Sequence, residues 1–184
     1  HYTRKQLRSM GRVSVMSVRA AEVALEQAGL LSDPLLKSGR VGVSFGSSSG
    51  SPDAMAEFGK MLIYKRVDGL NATSYVRMMS HTAAVNIGVF YELTGRVIPT
   101  STACVASSQG IGYAYEAIQH GYQDAMVAGG GEQLCPTQAA VFDTLYATST
   151  KNDTPDQTPR PYDRDRDGLV LGEGAGVFIL EEYQ

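Results

Sequence analysis

The chain has 184 residues, with 16 Lys plus Arg against 19 Asp plus Glu and a net charge of −3. Its 43% hydrophobic and 19% charged content suits one domain-sized core and excludes a disordered chain. No sustained Lys/Arg stripe marks a nucleic-acid surface, no apolar run approaches the roughly 18 residues that span a bilayer, and residues 1–12 lack the apolar centre of a secretion signal, so neither nucleic acid nor membrane is expected as a partner.

In chain order, the first periodic stretch predicts an amphipathic helix from Arg4 to Gln27. Ala21, Ala24, Leu25 and Ala28 fall at i, i+3, i+4 and i+7, and Gly29 supplies a left-handed cap. Residues 40–45 predict a strand closed by the flexible run Gly46–Ser51. Helices are predicted over 53–66 and over 75–93, the second ending at Thr94-Gly95. A strand over 97–102 leads into a helix over 104–119 that stops at His120-Gly121. A buried strand over 125–128, a helix over 137–146, a polar loop from Ser149 to Asp167 and a strand over 176–180 complete the pattern. Short apolar strands alternating with helices predict βαβ units and a sheet covered on both faces, an α/β fold in a single domain.

The two cysteines, Cys104 and Cys135, form neither a stapled framework nor a CxxC pair, which places the chain in a reducing compartment, read as the cytoplasm. Cys104 falls where a strand turns into a helix rich in small residues. Unpaired N–H groups and the positive end of the helix dipole at such a junction favour a thiolate and can hold an oxyanion, the two requirements of acyl transfer through a thioester. The alternative is a small buried hydrophobe.

Of the three histidines, none sits in a catalytic spacing. His120 reads as a helix C-cap and His81 as a packed histidine inside a helix; neither is assigned a catalytic role, and His1 carries no assignment. Asp163–Gly168 imitates the start of a calcium loop, but its twelfth position is Gly174 and two arginines interleave the acids, so no metal is expected. The glycine runs at 46–51, 129–131 and 172–176 lack the marks of a phosphate cradle and read as close-packing or turn glycines; no cofactor is expected.

Four blocks then carry a resemblance: Ser101-Thr102-Ala103-Cys104, Val127-Ala128-Gly129-Gly130-Gly131-Glu132, Ser149-Thr150-Lys151-Asn152-Asp153, and Arg160-Pro161-Tyr162-Asp163 through Gly176. In this order and spacing the chain resembles the β-ketoacyl-ACP synthases, condensing enzymes with the thiolase fold. Gly129–Cys135 is similar to the synthase I type and 171–183 to the synthase II type. The resemblance implies a layered αβα fold with a mixed, mostly parallel sheet. It also implies a homodimer and a decarboxylative Claisen condensation in which Cys104 takes an acyl chain from acyl-ACP before malonyl-ACP attacks it. The family's two catalytic histidines, its lysine and one of its two oxyanion amides belong to motifs for which nothing here matches. Residues 1–184 are therefore read as part of the N-terminal synthase domain, cut at both ends and inactive alone.

By the same resemblance, Lys5 and Arg8 match carrier-docking positions, where basic groups would steer an acidic carrier protein. Tyr75, Met78 and Met79 match the border of the acyl pocket and dimer interface, flexible methionines suiting chains of variable length. Two alternatives stay open: the ketosynthase domain of a polyketide synthase, and a non-catalytic partner of the chain-length-factor kind, against which Cys104 argues.

Overall fold

The computed structural model describes residues 2–183; His1 and Gln184 lie outside the described residues. The chain divides into two compact units, one comprising the described residues to Gln133 and from Gly174 onward, the other Leu134–Glu173.

In the first unit the helix predicted over 4–27 is two helices. α1 (Arg4–Leu7) is a single turn held by a capping box: Thr3 Oγ1 accepts from the Gln6 N–H (3.3 Å) and Gln6 Oε1 accepts from the Thr3 N–H (2.8 Å). α2 (Arg12–Gln27) begins after Gly11, where a Cβ would collide with the Ser51 side chain, so the break is set by packing. Gly29 at φ 72° closes α2, as its sequence position predicts, with the Leu30 N–H reaching the Leu25 carbonyl (2.9 Å).

After β1 (Val41–Gly46) comes α3 (Pro52–Tyr64), and the helix predicted over 75–93 is again two: α4 (Ala72–Met78) and α5 (Thr82–Phe90). Met79 between them is extended, and the Ser51 N–H takes the Arg77 carbonyl (3.0 Å) that a continuing helix would have used. β2 (Val97–Thr100), a 3-10 turn over Ala103–Val105, α6 (Ala106–Gln119), β3 (Ala125–Glu132) and β4 (Gly174–Glu181) follow. β3 is twice the predicted length, because Gly129–Gly131 continue the strand opposite Val177, Gly176 and Ala175 instead of turning.

The sheet runs β2-β1-β3-β4, with β1 parallel to both neighbours and β4 antiparallel to β3. Alternation along the strands separates two faces. Val41, Val43 and Phe45 of β1, with Ala125 and Val127 of β3, pack on Val18, Ala21 and Leu25 of α2 and on Ala83, Ala84 and Ile87 of α5. Met126 and Ala128 face the other way, onto Ala114 and Ala117 of α6. This is the expected layered αβα arrangement with a mixed, mostly parallel sheet.

Asn86 of α5 supplies the polar joint among these helices. Its Nδ2 lies within hydrogen-bond range of Thr82 O (2.8 Å), Thr82 Oγ1 (3.0 Å), Ser14 Oγ (3.2 Å) and Ser9 O (3.4 Å), and its Oδ1 accepts from the Ser9 hydroxyl (2.8 Å).

The second unit contains α7 (Pro136–Thr144) and a long irregular loop. The Asp167 carboxylate ties that loop together, accepting from the Ser149 hydroxyl (2.7 Å) and the Thr150 N–H (3.1 Å), with Lys151 Nζ at 3.7 Å. The Ser149 hydrogen bond, first among these influences, holds the Asp167 carboxyl below the usual carboxylate range. Among the described residues no helix is long and apolar enough to cross a membrane.

Candidate active site

Cys104 rides on the 3-10 turn between β2 and α6, immediately before Val105, the residue that caps α6. Its side chain is exposed, which removes the alternative reading of a buried structural thiol. The preceding residue, Ala103, adopts a left-handed backbone (φ 51°), a region costly for any residue with a Cβ. That bend helps swing the chain from β2 into α6 within the five residues 101–105. It leaves the Cys104 N–H without a backbone acceptor among the described residues, while Val105 and Ala106 donate to Thr102 (3.3 Å) and Ala103. A free N–H beside the thiol, at the start of a 14-residue helix, is a ready donor to an oxyanion formed on a group attached to Sγ.

Three strand ends converge to hold this turn. Thr100 Oγ1 donates to Ala106 O (2.8 Å), closing the turn on itself. The Ser47–Ser51 loop after β1 lies alongside: the Ser47 N–H donates to Thr100 O (3.1 Å) and the Ser101 hydroxyl to Ser48 O (3.4 Å). The close fit of β1 against α6 requires glycine at position 46, where a Cβ would stand 2.6 Å from both Ala106 O and Ser107 N. From the end of β3, Glu132 Oε2 accepts from the Ser48 N–H (2.7 Å) and Oε1 from the Ser49 hydroxyl (3.1 Å). Sequence reasoning passed over Glu132, treating its block as packing glycines; the available signal was an ionisable residue closing an otherwise apolar strand.

The other anticipated residues take the following places. Met78 ends α4 and Met79 follows it, both half-buried, with their carbonyls 2.7 and 2.6 Å from where a Gly50 Cβ would stand, so they border the loop that touches the Cys104 turn. Tyr75 is mostly exposed and meets Phe58 edge to face at 5.8 Å. Lys5 and Arg8 are exposed, on and just after α1, not on the long helix where they were expected.

His81 departs from expectation: it is exposed at the cap before α5, because the helix predicted to enclose it is interrupted there. His120 caps α6, its Nδ1 2.8 Å from Glu116 O. In the acidic loop, Asp163 accepts from the Asp165 N–H (2.7 Å) and Asp167 is taken up by Ser149 and Thr150; these acids bond their own loop.

The family model of the β-ketoacyl synthase N-terminal domain matches residues 1–184. The chain belongs to the β-ketoacyl synthase family. Over its full length it is 36% identical to 3-oxoacyl-[acyl-carrier-protein] synthase 2 of Vibrio cholerae, and over 98% of its length 37% identical to 3-oxoacyl-[acyl-carrier-protein] synthase 1 of Escherichia coli K12. It covers 44% and 45% of those proteins, so the chain spans less than half the length of both relatives. The crystal structure of a β-ketoacyl synthase from Burkholderia phymatum STM815 superposes with a TM-score of 0.94 at 55% identity, covering 99% of this chain and 45% of that one. The thiolase-like synthase fold expected from the motifs is thereby established for this part of the synthase.

Proposed function

We propose that the protein containing this chain is a 3-oxoacyl-[acyl-carrier-protein] synthase of fatty-acid elongation, working in the cytoplasm as a homodimer, and that Cys104 is its acylated nucleophile. The observation that carries the reading is an exposed cysteine held on a strained strand-to-helix turn, in a chain matched along its whole length by the synthase family. Cys104 Sγ attacks the acyl-ACP thioester and forms a tetrahedral oxyanion opposite the Cys104 N–H; collapse expels the carrier thiol and leaves an acyl-Cys104 thioester. Malonyl-ACP then loses carbon dioxide, and its carbanion attacks that thioester, releasing 3-oxoacyl-ACP and the free Cys104 thiol. The histidine pair and lysine that the family uses in the second half-reaction match nothing here, so residues 1–184 alone are proposed to acylate poorly and to condense nothing.

The relatives named above, synthase 1 and synthase 2, stand within one percentage point of each other in identity, which keeps both types in play. For carrier docking, Arg4, Lys5 and Arg8 offer three exposed cations on and beside α1, a surface suited to an acidic carrier. Met78 and Met79 are assigned to the acyl-pocket border on the strength of their place beside the Gly50 loop, and Tyr75, on the same helix as Met78, is assigned there with them by the resemblance alone.

In the full-length protein, Cys104→Ala should abolish the mass increase that acyl-ACP produces on the intact enzyme. A retained acyl adduct overturns the nucleophile. Reversing charge at Lys5 and Arg8 together should raise KM for acyl-ACP about tenfold while leaving KM for a small acyl thioester unchanged. Equal effects on both donors overturn the docking assignment.

A further inference from the structure

We propose that Glu132 is a positioning residue for Cys104, acting through the Ser47–Ser51 loop; the inference builds on the reading of Cys104 as nucleophile. The loop is Ser-Ser-Ser-Gly-Ser, with no apolar side chain to anchor it and a glycine, Gly50, at positive φ, and such a sequence has no preferred conformation of its own. Its order therefore comes from outside. Glu132 grips the loop at two consecutive residues, through the Ser48 N–H (2.7 Å) and the Ser49 hydroxyl (3.1 Å), and hydrogen bonds to a carboxylate are the stronger kind.

On its opposite side the same loop holds the segment leading to the nucleophile. The Ser48 carbonyl takes the Ser101 hydroxyl (3.4 Å) and the Ser47 N–H takes the Thr100 carbonyl (3.1 Å), three and four residues before Cys104. Glu132 itself stands at the end of a strand paired along its whole length with β4 and, through Gly130, with β1. A rigid strand end, a carboxylate, a soft loop and the strained turn thus form one mechanical series. Cutting it at the carboxylate releases that grip on Ser48 and Ser49 while Ser47 and Ser51 stay tied, and lets the Ala103 bend relax, moving Sγ and the Cys104 N–H out of register.

The test uses the full-length protein and two readouts: the rate constant for Cys104 alkylation by iodoacetamide, which needs no acyl-transfer activity, and the rate and KM of self-acylation from acyl-ACP. Glu132→Ala should slow self-acylation by roughly tenfold to a hundredfold with KM changed less than about twofold, the signature of a misplaced nucleophile. Alkylation should change by at least about threefold in the same variant. Glu132→Gln keeps one carbonyl oxygen for the Ser48 N–H and turns an amide donor to the Ser49 hydroxyl, so it should recover most of both rates. Ser49→Ala should cost less and add nothing to Glu132→Ala, since both cut the same series. Should Glu132→Ala fail to fold, the Gln and Ser49 variants still decide. Alkylation and acylation rates unchanged by Glu132→Ala, a loss confined to KM, a Gln variant as slow as Ala, or strictly additive Ser49 and Glu132 effects would each overturn the proposal. A wild-type protein that alkylates at Cys104 but never acylates there would refute the nucleophile assignment alone.

Discussion

Ala103→Gly tests whether the turn before Cys104 stores strain for function. A left-handed residue bearing a Cβ costs about 1–2 kcal/mol relative to the right-handed form, and Ala103 at φ 51° carries that cost next to an exposed thiol. Glycine removes it but restores about 0.4–1 kcal/mol of backbone freedom to the unfolded chain. The difference, a gain of about 0.5–1 kcal/mol, should appear in urea unfolding as a higher midpoint at unchanged slope. The same freedom should loosen the turn and slow self-acylation by about tenfold. Ala103→Val goes the other way: a β-branched residue at positive φ should destabilise by more than about 1 kcal/mol. An Ala103→Gly protein less stable than wild type would refute the strain argument. A more stable one acylating at the wild-type rate would show that the strain is present but unused.

Two further expectations concern packing and pH. Asn86→Ala strands the buried Ser14 hydroxyl and the Ser9 hydroxyl and should cost about 2–4 kcal/mol in denaturant unfolding, with a loss below about 1 kcal/mol contradicting the joint described between α2 and α5. Asp167 has a folded-state pKa below its unfolded value, so the order it gives its loop is fully present above the unfolded carboxylate range and is lost as pH falls through the depressed folded value. Ser149→Ala removes the largest cause of that depression and should move the loss to higher pH. Carboxyl NMR titration of Asp167 reads this directly, and an unmoved titration contradicts the assignment.

What sequence could and could not reveal follows from the range of the forces involved. The αβα layering, the strand starts and the Gly29 cap depend on local periodicity and local φ, and they were legible. The two interrupted helices were not: the apolar rhythm continues across Gly11 and across Met79–His81, while the breaks answer to Ser51, a residue distant in sequence whose side chain occupies the Gly11 Cβ position and whose N–H takes the Arg77 carbonyl. His81 was misplaced for the same reason. Cys104 could be singled out because a strand-to-helix junction is written in neighbouring residues, and because whole motifs surround it. Glu132 was missed because its meaning lies in two loop serines that meet it only once the sheet exists.

The strand order carries a further implication for how the chain comes together. β1 is flanked by strands that both arrive later, and Ser48 meets Glu132 across 84 residues. Contacts that distant make folding slow, since the loop must close before any pairing rewards it. During synthesis the cysteine turn therefore emerges well before β3 and its terminal carboxylate. For that interval the thiol exists without its geometry, and the proposed nucleophile is finished only when β3 has paired with β1.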